Sequence, residues 1–132
     1  MGLKRIILQD GGLSRNMRTG DGWDNPVIST IATDANATIS ASQVAGGVIQ
    51  YTGFTAGRTL TTDTAANFAA AFPEMDIGDA IGFTVSVVPA FAGTWAAGAG
   101  VTITGRTTCP ASSGVTVYLV RTGAATFNWT TM

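Results

Sequence analysis

The sequence predicts an all-β domain: an antiparallel β-sandwich or jelly roll of about eight strands, with one short helix and an extended N-terminal arm. Three observations carry this expectation. Period-2 alternation of β-branched and aromatic residues recurs along most of the chain, Gly and Pro punctuate it at fairly even intervals, and only one segment has a helical period. With 132 residues the chain suffices for one domain around one core.

Residues 1–26 differ from the rest. "DGGLSRNMRTGDGWDNP" combines Gly, Asp, Asn and basic residues without a sustained period of 2 or 3.6, so this stretch is expected to be an arm that builds no core of its own. Trp23, near its end, is a large side chain of the kind that normally finds a pocket. From residue 27 to 132 the pattern is that of strands. "VISTIAT" reads as an additional edge strand, and "ATISAS", "GVIQYT", "RTLTT" and "GVTITG" as short strands. "AIGFTVSVV" sends Ile81, Phe83, Val85 and Val87 to one face. "GVTVYLV" does the same with Val115, Val117 and Leu119, and "AATFNWTT" with Ala125, Phe127 and Trp129. A parallel sheet is not expected, because the sequence offers no second or third helix to make crossovers.

The helical segment is "DTAANFAAAFP", residues 63–73. Asp63 or Thr62 stands where an N-cap belongs, and Pro73 marks the stop. Ala65, Phe68, Ala69 and Phe72 fall at i, i+3, i+4 and i+7, so one face is apolar. A helix this short is unstable alone in water. It is therefore expected to be a plug that docks Phe68 and Phe72 on the sheets.

Composition narrows the function. Apolar residues make up 45% of the chain and charged residues only 11%, with a net charge of −1, so nothing in the balance favours nucleic acid as a partner. No run approaches the length of a membrane span, and the apolar run near the start is shorter than a secretory core. Lys4, Arg5, Arg15 and Arg18, four of the seven basic residues, all lie in the arm. With no histidine the commonest general base and metal ligand is missing, Lys4 lies in the arm, and Cys109 has no base beside it and no cysteine to pair with. Glu74, Asp76 and Asp79 in "PEMDIGD" could approach a Ca²⁺ ion, but the spacing is not that of an EF-hand and fits a solvated turn. The glycines of "GTWAAGAGVTITG" precede a strand where a phosphate-binding loop needs a helix. The chain is expected not to be an enzyme and to need no cofactor or metal. Trp95, Tyr118, Phe127 and Trp129 are the candidates for an interface with other copies or a partner. Aromatic residues of this set could alternatively form a sugar-stacking platform in a tail-fibre, spike or carbohydrate-binding module.

The block "TDANATISASQVAGGVIQYTGFTAGRTLTTDTAANFAAAFPEMDIGDAIGFTVSV", with "GAGVTITG" and "GVTVYLVRTG" after it, resembles a group of small tailed-bacteriophage virion proteins over about residues 34–122. That group is one of capsid cement or decoration proteins of jelly-roll type. The resemblance implies a structural protein on the outer surface of the virion. Its partners would be the major capsid protein of an HK97-like shell and further copies of itself, as homo-dimer or homo-trimer. It marks no catalytic residue. On this reading Lys4, Arg5, Arg15 and Arg18 face acidic patches of the shell and Trp23 anchors the arm.

Overall fold

The structure, a computed structural model, describes residues 26–132 together with the pairs Lys4–Arg5 and Asn16–Met17. Lys4–Arg5 (β1) and Asn16–Met17 (β2) pair antiparallel, so part of the expected arm is a small two-stranded ribbon. Arg15, Arg18 and Trp23 lie outside the described residues.

The main body is mostly β. In chain order it holds β3 (Val27–Ile31), β4 (Ala37–Ile39), helix α1 (Ala41–Gly46), β5 (Gly47–Tyr51), β6 (Arg58–Thr62), helix α2 (Ala65–Ala71) and β7 (Ala80–Val87). Then come β8 (Gly93–Ala96), β9 (Val101–Gly105), β10 (Thr108–Cys109), β11 (Ser113–Gly123) and β12 (Thr126–Thr131). A six-stranded sheet has the order β3-β5-β7-β11-β12-β9 and a four-stranded sheet the order β10-β8-β6-β4.

Both sheets are mixed, which corrects the antiparallel expectation. The β3–β5, β5–β7 and β9–β12 pairs of the larger sheet are parallel, as are β4–β6 and β6–β8 of the smaller one. The cause is the path of the chain. From β3 to β11 each strand lies in the opposite sheet from the one before it, so β3, β5 and β7 in one sheet and β4, β6, β8 and β10 in the other are neighbours next-but-one in sequence. A parallel pair needs a crossover. Between β3 and β5, and again between β5 and β7, the crossover is a strand of the facing sheet followed by a short helix, α1 or α2, and α1 is a second helix that the sequence reading did not expect. Only at the end does the chain stay in one sheet, where β11 and β12 form an antiparallel hairpin.

The alternation read from the sequence sets the core. Phe83, Val85, Val87, Val115, Val117, Leu119, Phe127 and Trp129 are all buried, and Ile81 packs against them half-buried. Ala125, expected with them, is exposed in the turn before β12. Leu60 and Trp95 enter from the smaller sheet. Trp129 is the meeting point: its ring lies 5.0 Å from Phe83 and 5.5 Å from Trp95, both edge-on, and 6.4 Å from Phe68 of α2. Such a hub joins both sheets and a helix through one side chain, with edge-on geometry that suits the ring quadrupoles.

Helix α2 is the expected plug. Ala65, Phe68 and Phe72 are buried, and the Phe68 ring sits 5.7 Å from that of Phe127. Its N-cap is Thr64, one residue later than expected: the Thr64 hydroxyl accepts from the Asn67 N–H. The second helix, α1, stands where a strand "ATISAS" was expected to continue. Ser40 and Gln43 form a reciprocal capping box that starts the helix, and Gly47, with φ of 97°, ends it. Because β4 and β6 run parallel and each leads through a helix into the parallel strands β5 and β7, both helices lie at the same end of the body.

Candidate functional site

Charge in the described body is confined to its two ends. At the end opposite the helices, Asp34 in the β3–β4 connection accepts the Thr55 N–H at 3.0 Å and the Thr55 hydroxyl. It also accepts Arg58 Nε at 2.9 Å and Nη2 at 2.8 Å. Asn36 accepts the Thr59 N–H at 2.9 Å beside it. The Thr55 hydrogen bonds and then Arg58 hold the Asp34 carboxyl down to about 2. This network ties two crossover loops together at the surface.

At the helix end, Asp63 joins the two helices. One carboxylate oxygen accepts the N–H of Ala41, the first residue of α1, at 2.9 Å. The other accepts Thr64 N–H at 2.8 Å and the Asn67 amide at 2.6 Å. Partial burial pushes this carboxyl up, but the bonds from Asn67, Ala41 and Thr64 outweigh it and the net shift is downward. Arg121 spreads its guanidinium over three backbone carbonyls, those of Met75 (2.8 Å), Ala124 (2.6 Å) and Gly123 (3.2 Å). It also stacks over the Phe127 ring. The Asp79 carboxylate accepts the Asp76 N–H at 2.9 Å, closing the turn that follows α2. Among the described residues, no three His, Cys, Asp or Glu side chains gather as a metal site would require. Cys109 is fully buried in the core, where desolvation raises its thiol to about 11 and keeps it protonated at neutral pH. No helix among the described residues is long and apolar enough to cross a membrane.

Between the ends lie two uncharged faces. On the outside of the larger sheet the register aligns Ile28, Val48, Thr84 and Thr116 in one row and Gly82, Tyr118, Thr130 and Thr104 in the next. Further rows hold Thr30, Gln50, Ser86 and Gly114, and Ala80, Val120, Asn128 and Thr102. On the outside of the smaller sheet stand Thr38 and Thr61 beside Ala96, and Thr59 and Thr94 beside Thr108. Threonine dominates both, with its methyl and hydroxyl side by side. A shallow groove of about 300 Å³ crosses the larger face near its edge, lined by Gln50, Ser86, Val88, Ser112, Ser113 and Gly114, with Val87 below. Its lining holds neither a charge nor an aromatic ring.

The aromatic candidates divide differently from expectation. Trp95, Phe127 and Trp129 are buried in the core, so none of them can meet a partner or a sugar ring without opening the protein. Their assignment to an interface is corrected: in the folded chain they are core side chains, and composition alone does not tell an inward tryptophan from an outward one. The two indole N–H groups and the Tyr51 hydroxyl have no hydrogen-bond partner, and burial raises the Tyr51 phenol to about 12. Tyr118 alone of the four is exposed, with its ring lying across Gly82. A Cβ added at Gly82 would come within 2.9 Å of the Tyr118 Cε1, so the glycine is what lets the ring lie down on the sheet. Phe68 and Phe72 are where the plug reading puts them. Of the basic arm residues, Lys4 and Arg5 fall in β1, while Arg15, Arg18 and Trp23 belong to the undescribed positions.

No family model matches this sequence, and no characterised protein or solved structure is significantly similar to it.

Proposed function

We propose that this chain is a structural virion protein that binds and stabilises the outer shell of a tailed-phage capsid. The observation that carries the reading is the block of small-residue motifs between residues 34 and 122, which resembles cement proteins. The jelly-roll kinship belongs to this proposal and rests on the same motifs. The physical make-up of the body supports it. The ionisable side chains Asp34, Arg58, Asp63 and Arg121 are engaged in fastening loops and helices, and the broad faces between them are neutral and rich in hydroxyl groups. A protein that works by fitting against neighbours needs a stiff frame and matched surfaces, and it needs no tuned acid or base. The basic arm residues Lys4, Arg5, Arg15 and Arg18 would supply electrostatic attraction to an acidic shell, adding weak contacts to those of the body.

The test uses heads of the phage that encodes the chain, depleted of it, and the purified full-length protein. Saturable binding with a raised temperature of head rupture is expected, and removal of residues 1–26 is expected to lower occupancy. Failure of the full chain to bind such heads would overturn the reading. The tail-fibre or carbohydrate-binding alternative relied on an exposed cluster of Trp95, Trp129 and Tyr118. Two of those three are core residues, so no observation favours it.

A further inference from the structure

We infer that the outer face of the six-stranded sheet is a contact between two copies of this chain, packed face to face about a two-fold axis near Thr84 and Thr116. Charged residues make up 11% of this chain, so its outward strand positions are expected to hold about two. The outward register positions of the six strands hold none. The charged residues of the body, Asp34, Arg58, Asp63, Glu74, Asp76, Asp79, Arg106 and Arg121, all lie at its ends.

The exposed apolar side chains distinguish this face from the smaller one. Ile28 is 61% and Tyr118 39% exposed, and both point outward from the larger sheet, whereas the outward residues of the smaller sheet are threonines and one alanine. The Tyr118 ring lies down over Gly82, which keeps the middle of the face low and accessible to a flat partner.

Area and symmetry select the occupant. Six strands about 4.8 Å apart and roughly 20 Å long present ~500 Å² in plan. Corrugated by side chains, this approaches the ~800 Å² per partner of a standard interface. In a two-fold contact the residues near the axis meet their own copies, so any charge there meets a like charge. An uncharged centre therefore suits a self-contact. A dissimilar partner would be selected by complementary charges, and the face offers none to read.

This contact deepens the structural reading but is tested on the isolated protein, so that loss of self-association and loss of shell binding are separate results. Sedimentation of the full chain at about 50 μM should show a dimer. Thr84→Arg and Thr84→Glu should each sediment as monomers with unchanged circular dichroism, and an equimolar mixture of the two should recover the dimer. Thr94→Arg, which places the same charge on the smaller sheet, should leave the dimer intact. A wild-type monomer at this concentration, a dimer that persists in both Thr84 variants, or dissociation by Thr94→Arg alone would overturn the assignment.

Discussion

The strands up to β8 and the hairpin β11–β12 use the same alternating pattern to different ends. In the first region the chain passes from one sheet to the other at every step, and β3, β5 and β7 become parallel neighbours, as do β4, β6 and β8. In the second it turns back beside itself, and β11 pairs antiparallel with both β7 and β12. Alternation fixes which residues are buried. The connection decides which strand lies alongside. The wound region depends on loops and helices that cross the ends of the body, and there its polar network is placed. The hairpin depends on direct pairing and on Trp129.

The largest expected effect tests whether the two regions share one cooperative core. Trp129 belongs to the hairpin, but its ring meets Trp95 and Phe68 of the wound region. Trp129→Ala should cost about 3–5 kcal/mol in denaturant unfolding. If the regions are one unit, amide exchange should accelerate in both together. Protection retained in β3–β8 would show them to be separable.

Asp63→Ala comes next. It removes the acceptor of the Ala41, Thr64 and Asn67 donors and should cost ~1–2 kcal/mol, with faster exchange in both helices before the hairpin. The pH dependence follows from the lowered carboxyl. Asp63 contributes fully above its unfolded value of about 4 and loses that contribution as pH falls through the lower folded value. Urea midpoints measured from pH 6 down to pH 2 should therefore fall more steeply in the wild type than in Asp63→Ala.

The smallest effect is expected for Asp34→Asn. Its carboxylate is at the surface and pinned by Thr55 and Arg58, so the change should leave the unfolding temperature nearly unaltered while the Thr55 amide exchanges faster. A large drop in stability would mean that the crossover loops, and not only the core, hold the wound region together.

These differences also explain what could be read in advance. Phe83, Val85, Val117, Leu119, Phe127 and Trp129 were legible as inward residues because a period of two depends only on local backbone geometry. Helix α2 was legible from the spacing of Phe68 and Phe72 and from Pro73. Helix α1 was hidden by the strand-like "ATISAS", although Ser40 and Gln43 already carried a capping-box signature. Strand partners were not legible, since parity names a face and never a neighbour. The expectation that excluded parallel strands for want of a second helix failed because α1 was missed and because β4 and β6, in the facing sheet, make up part of each crossing. At the candidate surface, the same parity that buries Val85 and Val115 turns Thr84 and Thr116 outward. The neutrality of the face appeared only once the register placed six strands side by side.

The parallel registers of β3 on β5 and β5 on β7 have a mechanical consequence. When tension pulls the front of one strand against the rear of its parallel neighbour, the load runs along the ladder, and the hydrogen bonds between them share it instead of opening one after another like a zip. A body wound in this way is suited to resist shear, and its antiparallel hairpin, pulled at its two open tails, is the part that would yield by peeling.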